Sequence, residues 1–388
     1  MYFVHPQIKI NKENLKSVFN CFFERPNLEH LRYTLSSYFP EKKIIFTDMG
    51  RTAFQLIIEK LNLRNTQMLV PAYICDIFFG IFKKYNIQPI FLDIDTETFN
   101  IKAEQIKQKA NPGVKSILLP HTYGLANDIE KIKSLTNNQL LIIEDCAHTF
   151  GAKYNNGYLG NFGNAAFFSL YKIFPTCRGG IAILPSDLDL RQEDLIKTKF
   201  SFRDFISLLN CFSLFAFLFK SFGSSFPGQL TAQKMIRKEK FFQPSQINRV
   251  SLNLFQHFLK NHQKNLEKRI KLALFFQTEL RKLGFKVQNS QNNSFGYLSA
   301  LVPKNLNRDA LVKKLRKHKI FCTRIWHSPI ILNPEVQKQY HLDLDKFPNT
   351  IETAKRIINL PLQNYFEKRD IENIIKALKR TVPAHCLQ

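Results

Sequence analysis

The sequence predicts an α/β protein in which a mostly parallel sheet, covered by helices on both faces, is followed by a smaller α+β domain. From Lys42 to Leu184, short apolar runs alternate with helical patterns, which is typical of parallel strands buried on both faces. The 388 residues exceed what one compact core usually holds. After about Asn261 the pattern changes to a long helix followed by short strands and helices.

We divide the chain into an N-terminal segment (1–40), a large ligand-binding domain (41–187), a basic, Phe-rich insert (188–251), and a long helix with the small domain (252–388). The expected strands of the large domain are Ile44–Phe46, Met68–Val70, Pro89–Asp93, Ser116–Leu119 and Leu140–Ile143, and its expected helices are Thr52–Leu61, Tyr73–Tyr85 and Ile129–Ser134. In the small domain we expect strands at Phe285–Val287 and Tyr297–Val302 and helices at Leu311–His318, Ile351–Ile358 and Asp370–Lys379.

The insert contains Ile206–Phe219, fourteen residues without a charge, with basic residues on both sides. Fourteen residues are too few to span a bilayer. The pattern favours one Phe-rich helix, either buried over the ligand site or in a dimer contact, or lying in a membrane interface through about 206–222.

The charge of +25 favours anionic ligands. No arginine-rich arm, zinc-finger spacing or aromatic RNA-binding signature is present, so we expect no nucleic-acid partner and no metal. The seven cysteines are scattered and odd in number, which indicates a reduced, cytoplasmic protein. The first residues show no secretion signal.

Asp145 directly follows the apolar strand Leu140–Ile143. A carboxylate at such a position needs a cationic or metal partner, because burying it alone is costly. A protonated pyridinium ring is one such partner. An ordinary acid that caps a loop is the alternative.

A second strand, Phe167–Leu170, brings Ser169 and Lys172 to its end. A lysine beside apolar groups and a cationic ring loses its proton near neutral pH and can attack an aldehyde. The serine hydroxyl can bind a phosphate oxygen. A solvated loop lysine is the alternative reading.

The turn at Gly50, Arg51 and Thr52 joins a strand to a helix. Free N–H groups at a helix start bind phosphate, and Thr52 adds a hydroxyl. A plain helix cap is equally consistent with this turn alone.

Taken together, these motifs resemble those of the DegT-type sugar aminotransferases over about Ile44 to Lys379. The matching blocks are Gly50–Phe54, Val70–Tyr73, Phe91–Asp95, Pro120–Gly124, Ile143–His148, Phe347–Pro348 and Ile358–Leu362. The resemblance implies a fold type I transferase that uses pyridoxal 5'-phosphate (PLP), forms a homodimer, and moves an amino group from glutamate to a keto-sugar, normally nucleotide-linked.

The resemblance also implies residue roles. Lys172 would form the Schiff base with PLP, Asp145 would hold the pyridine nitrogen, and His148 would contact the ring or its 3-oxygen. The family usually has five residues from the strand serine to this lysine, against three here, but Lys172 keeps the usual seven residues before Gly179. Further cofactor candidates are Gly50, Arg51, Thr52, Ser169, Tyr73 and Asn248, and substrate candidates are His121, Tyr123, Arg324, Trp326 and His327.

Two other functions stay open. Some relatives eliminate water from a keto-sugar and carry histidine in place of the lysine. A relative without catalysis could instead serve as a membrane-surface or regulatory partner, to which the short turn before Lys172 and the insert would point.

Overall fold

A computed structural model describes residues 1–136, 139–221 and 243–382 of the chain. Fourteen strands are described: β1 (Tyr2–Phe3), β2 (Lys42–Thr47), β3 (Gln67–Pro71), β4 (Gln88–Leu92), β5 (Val114–Pro120), β6 (Leu141–Asp145), β7 (Lys153–Tyr154), β8 (Gly157–Tyr158), β9 (Ala165–Ser169), β10 (Gly180–Pro185), β11 (Lys286–Val287), β12 (Leu298–Leu301), β13 (Ile320–Phe321) and β14 (Ile357–Leu360).

The described α-helices are α1 (Lys12–Asn20), α2 (Leu28–Ser36), α3 (Gly50–Lys60), α4 (Ile77–Tyr85), α5 (Ala103–Lys109), α6 (Ile129–Leu135), α7 (Phe202–Leu209), α8 (Ser213–Ser221), α9 (Arg249–Leu259), α10 (His262–Lys282), α11 (Arg308–Lys317), α12 (Pro334–Tyr340), α13 (Pro348–Arg356) and α14 (Lys368–Thr381).

The large domain is built on a seven-stranded sheet in the order β2-β10-β9-β6-β5-β3-β4. Strands β9, β6, β5, β3 and β4 are parallel, and β10 runs antiparallel to both β9 and β2. Most strand residues are buried, as the continuous apolar runs predict. The predicted α/β class with a mostly parallel sheet is confirmed, and the carboxyl ends of β5, β6 and β9 lie side by side, where such sheets bind ligands.

The small domain contains the three-stranded sheet β11-β12-β14, on which α10, α11 and α14 pack. Asp93 directly follows β4, and its carboxylate accepts the N–H groups of Asn349 and Thr350 at the start of α13. These hydrogen bonds join α13 to the large sheet at its carboxyl edge.

The N-terminal segment is fastened to the C-terminal part. Strand β1 pairs with β13, and the side-chain amide of Gln363 donates to the carbonyl oxygens of Phe3, at 2.6 Å, and His5, at 2.8 Å. In return, Gln363 Oε1 accepts the N–H of Gln7 at 3.0 Å. These bonds place residues 4–9 along a cleft beside Lys172.

The single helix expected over Ile206–Phe219 is instead two helices, α7 and α8, which meet at 104°. The N-terminal segment stabilises the break between the two helices. The carbonyl oxygen of Asn210 accepts from the Gln7 side chain at 3.0 Å, and that of Cys211 accepts the N–H of Ile8 at 2.7 Å. The expected helix was wrong in its continuity because these tertiary hydrogen bonds leave no sequence signal. Residues 222–242 of the insert lie outside the described part.

Within the described residues no single helix is long and apolar enough to cross a membrane, although the bent pair α7 and α8 together meets that length and composition. Leu208, Cys211, Phe212 and Ala216 are buried, whereas Phe202 and Phe205 are 77% and 41% exposed. The pair α7 and α8 thus has buried apolar residues on one side and exposed phenylalanines on α7.

Candidate active site

Asp145 is the last residue of β6, and its side chain is buried. Its Oδ1 accepts the N–H of Ala147 at 3.0 Å. Burial raises the pKa of Asp145, while the positive charge of Lys172 and this N–H act in the opposite direction. The site therefore holds a buried carboxylate that a cationic ligand would stabilise.

Lys172 ends the short turn after β9, and its Nζ lies 3.3 Å from Nε2 of His148. Burial, and then the charge of Lys172, hold the pKa of His148 well below its usual value, so the ring is neutral. The N–H of Tyr123 donates to Nδ1 at 3.2 Å, which leaves the hydrogen on Nε2. The Nε2 side of the His148 ring therefore faces the Lys172 amine within hydrogen-bond distance.

Aromatic rings surround His148. Tyr123 lies parallel to the imidazole with the ring centres 5.9 Å apart, Trp326 lies at 5.3 Å, and Tyr297 meets it edge-on at 4.9 Å. The hydroxyl of Tyr73 hydrogen-bonds that of Tyr123 at 2.8 Å, and Tyr123 donates to the carbonyl oxygen of Ile325 at 2.6 Å. Tyr73, Tyr123 and Trp326, predicted separately, thus form one buried wall beside Lys172 and His148.

The turn at the start of α3 lies against the end of β9. A Cβ added to Gly50 would meet the carbonyl oxygen of Phe168 at 3.0 Å and Cβ of Ser169 at 3.1 Å, so this close approach requires glycine. The Ser169 side chain is buried at this contact. These features leave a small polar cradle at a helix N-terminus, next to Lys172.

The Thr52 hydroxyl, expected to face a phosphate, donates instead to Oδ1 of Asp48. Burial raises the pKa of Asp48, although Thr52, Arg178 and then Arg51 act to lower it. Because Asp48 precedes the cradle, the charge of Arg51 at the same turn offsets a carboxylate that would otherwise repel phosphate.

Asn248 lies away from this cradle. It is the N-cap of α9, where its Oδ1 accepts the N–H of Ser251 at 2.9 Å, and its Nδ2 lies 3.3 Å from Asp204 Oδ2. Asp204 in turn pairs with Arg178 Nε at 2.6 Å, and Arg178 lies 3.8 Å from Asp48. Within the subunit, Asn248 therefore reaches the cradle only through this chain of polar contacts.

His121 does not face Lys172. Its Nε2 pairs with Glu144 at 3.1 Å and its Nδ1 accepts the N–H of Asn127 at 3.1 Å. The Glu144 carboxylate also accepts three N–H groups, from Gly160, Phe162 and Gly163, at 2.9, 2.8 and 2.7 Å. The sulfur of Cys146 lies within 4.8 Å of this pair, so the three could hold a metal by proximity, but the hydrogen bonds already use the ring nitrogens and the carboxylate.

Arg324 and His327 lie at the surface side of Trp326. Arg324 pairs with Asp309 at 2.5 Å, and His327 is exposed. Trp326 itself has a positive φ of 59°, a conformation that L residues seldom adopt, and it turns the indole inward.

A cleft of about 420 Å³ opens beside Lys172 between the two domains. Its walls include the N-terminal residues Pro6 and Gln7 and the helix residue Arg269. Sequence reasoning missed these residues and Tyr297, because only the tertiary fold brings the N-terminal segment and α10 to this edge of the sheet.

Several solved structures that are similar to this chain are named as sugar aminotransferases or sugar dehydratases. The putative sugar aminotransferase Spr1654 from Streptococcus pneumoniae, in its PMP form, superimposes with a TM-score of 0.75 at 17% identity, covering 98% of this chain and 99% of that one. The GDP-4-keto-6-deoxy-D-mannose-3-dehydratase of E. coli, with hydrated PLP bound, gives 0.72 at 18% identity over 97% of this chain and 99% of that one. This chain therefore has the fold of these proteins.

More particularly, the chain belongs to the DegT/DnrJ/EryC1/StrS aminotransferase family, whose model matches residues 19–379. GDP-perosamine synthase from Escherichia coli O157:H7 is 34% identical over 140 residues, an alignment that covers 34% of this chain and 38% of that protein. The dTDP-3-amino-3,6-dideoxy-alpha-D-galactopyranose transaminase of Aneurinibacillus thermoaerophilus is 23% identical over 89% of this chain and 87% of that protein. Family membership makes the chain a PLP-dependent transaminase.

The residues present fit PLP on three observations. Asp145 is a buried carboxylate at which a cationic nitrogen would be stabilised. The buried Ser169 side chain lies against the Gly50 turn, where a hydroxyl and the first N–H groups of α3 are groups that bind phosphate. Lys172 follows Ser169 by three residues, and its amine lies against the neutral imidazole of His148.

Proposed function

We propose that this protein transfers an amino group, with glutamate as donor, to a keto-sugar that is nucleotide-linked, for the synthesis of surface polysaccharide or of a secondary-metabolite sugar. The observation that carries the proposal is the Lys172 amine held 3.3 Å from His148 beside a buried Asp145. A family member with this set retains the groups that transamination needs.

We assign Lys172 the role of covalent attachment and proton transfer. PLP, when bound, supplies an aldehyde that condenses with amines and a ring that accepts electrons. The Lys172 amine would hold that aldehyde. Once free, Nζ would take a proton from the donor Cα and give one back, as general base and acid.

Asp145 and His148 set the charge around that proton transfer. The Asp145 carboxylate keeps a ring nitrogen protonated, and burial strengthens this interaction because water does not screen it. His148 is neutral, so it orients the Lys172 amine through Nε2 without adding a second positive charge.

The phosphate is assigned to the Gly50 turn. The N–H groups at the start of α3, the Ser169 hydroxyl and the Arg51 side chain are its proposed ligands, with Thr52 acting through Asp48. Asn248, capping α9 in the same subunit, is retained as a candidate for the phosphate site of a neighbouring subunit.

Substrate contact is assigned to the aromatic wall beside His148. Tyr73, Tyr123 and Trp326 form this buried wall, while Arg324 and His327 lie on the surface side of Trp326. His121 shares a loop with Tyr123 and is retained as a substrate candidate for that reason alone, because its Nε2 already pairs with Glu144.

A dehydratase is the second candidate, since two of the similar folds are GDP-4-keto-6-deoxymannose dehydratases. Lysine at position 172, where such relatives carry histidine, favours the aminotransferase. Incubation of the PLP-loaded protein with glutamate and a panel of keto-sugar nucleotides separates the two. An aminated sugar with release of 2-oxoglutarate supports the proposal, and a deoxygenated sugar with ammonia release supports dehydration.

We further propose that the protein is a cytoplasmic homodimer. The exposed Phe202 and Phe205 on α7 supply an apolar contact face. Contact with a membrane surface through 206–222 is the second candidate for this face, favoured by the exposed basic residues Lys197, Lys199 and Arg203 around it.

A further inference from the structure

Arg269 is a buried cation that has no role in the reaction proposed above. It lies on α10, and its side chain is almost fully enclosed. Its Nε and Nη2 both donate to a single acceptor, Oδ1 of Asn364, at 3.0 Å for Nε. Among the described residues, no carboxylate lies within salt-bridge distance of it. A buried charge without an opposite partner is costly, so its retention needs a reason.

The part of the Arg269 guanidinium that does not contact Asn364 faces the cleft. Arg269 lines the same cleft of about 420 Å³ as Lys172, a volume within the range of small-ligand sites. Nη1 has no acceptor among the described residues, and the pairing with Asn364 uses only one edge of the group. The remaining N–H groups are therefore available to a ligand in the cleft.

Arg269 is also electrostatically close to the reacting groups. Burial lowers its pKa to about 10, and its charge acts on the Tyr297 hydroxyl. The Tyr297 ring meets the His148 ring edge-on at 4.9 Å, and His148 contacts the Lys172 amine. Tyr297 and His148 therefore lie between Arg269 and Nζ of Lys172.

We propose that Arg269 is the anion-binding residue of the Lys172 cleft, taking either the carboxylate of the amino donor or a phosphate of the acceptor. The proposal rests on the proposed function for the identity of these anions. A guanidinium fits a carboxylate or a phosphate through two parallel hydrogen bonds, which an ammonium group cannot reproduce. Asn364 orients the group without neutralising it, because an amide carries no charge.

The test is direct binding to the PLP-loaded protein, measured without turnover. Two probes, 2-oxoglutarate and inorganic pyrophosphate, are titrated separately by calorimetry, with the fluorescence of Trp326 as a second readout, since it is the only tryptophan and lies at the site. We expect Arg269→Gln to weaken binding of one probe by about 30-fold, from the loss of charged hydrogen bonds, and Arg269→Lys to restore part of the loss.

Asn364→Asp provides a second variant that keeps the size and the hydrogen bonds but adds a carboxylate beside the guanidinium. We expect it to weaken the same probe about as much as Arg269→Gln. Lys271→Gln is the matched control, because it removes the same charge from an exposed position on the same helix. It should bind like the wild type.

Selective loss of 2-oxoglutarate binding assigns Arg269 to the donor, and selective loss of pyrophosphate binding assigns it to the acceptor. The proposal is overturned if neither probe binds the wild type, or if Arg269→Gln and Asn364→Asp bind both probes as the wild type does. Arg269-dependent binding in a protein that aminates no sugar would contradict the proposed function and leave this assignment standing.

Discussion

Nζ of Lys172 lies 3.3 Å from Nε2 of His148, whose Nδ1 accepts the backbone N–H of Tyr123. This arrangement connects the amine that follows β9 to the loop after β5, two strands away in the sheet. It also fixes the tautomer of the imidazole, and so decides which nitrogen carries the hydrogen.

His148→Phe tests this relationship, because it keeps a ring between Tyr297 and Trp326 but removes Nε2. We expect PLP to remain bound and the glutamate half-reaction to slow by about 100-fold, a typical cost for a misplaced proton-transfer group. Rapid mixing with glutamate, followed by absorbance, measures this rate.

The wild-type rate should show no inflection from His148 near its ordinary value of about 6.5, since its pKa is held well below that. A histidine inflection present in the wild type and absent in the variant would contradict the assignment of a neutral ring.

Asp145→Asn keeps the size of the side chain, and its amide oxygen can still accept the N–H of Ala147. Without the carboxylate, the ring nitrogen is no longer kept protonated, and we expect the donor half-reaction to fall by at least about 100-fold. The variant should still form the covalent attachment at Lys172. An unchanged rate in single-turnover absorbance measurements would rule out a role for Asp145 at the ring nitrogen.

Glu144 precedes Asp145 in the chain, and Glu144→Gln tests its contribution to the stability of the fold. Burial acts to raise the pKa of Glu144, but the His121 contact and the N–H groups of Gly160 and Gly163 outweigh it, and the pKa is lowered. A carboxyl whose pKa is depressed on folding adds stability above its unfolded pKa, and this stability is lost as the pH falls through the folded value.

We therefore expect Glu144→Gln to lower the free energy of unfolding at neutral pH by about 3 kcal/mol, the cost of breaking a buried charged network. The difference from the wild type should shrink as the solution is acidified below about pH 4.3. Denaturant titrations at several pH values measure both effects. A difference that stays constant with pH would show that Glu144 is not ionised in the folded protein.

The pair Phe202→Ser and Phe205→Ser tests the exposed face of α7. If this face joins two subunits, the double variant should sediment as a monomer while the wild type is a dimer. If the face contacts lipid, the variant should remain dimeric and lose binding to vesicles that contain anionic lipid. Tyr33→Ser, which removes an exposed aromatic ring from α2, is the control and should change neither property.

Much of the fold followed from local patterns in the sequence. The apolar runs that predicted the strands of the large sheet became β2 to β6, and the turn before Thr52 became the start of α3. The confirmed family depended on blocks at the strand ends, such as Ile143–His148, because the chemistry of a parallel sheet is concentrated there.

What the sequence could not show was set by long-range contacts. His121 was a substrate candidate until the fold paired it with Glu144, which alternation along β6 directs away from the Asp145 face. Arg269 and Tyr297 carry no local signal, because only the packing of α10 and the loop before β12 brings them to Lys172. The break between α7 and α8 likewise depends on Gln7, about two hundred residues earlier.

The measurement that tests the central claim most directly is borohydride reduction of the PLP-loaded protein, followed by peptide mass mapping, with Lys172→Ala in parallel. The account predicts a visible absorption band that borohydride removes, a cofactor adduct on the peptide that carries Lys172, and no such band or adduct in the variant. An adduct on another lysine, or a wild-type protein that binds no PLP, would contradict it.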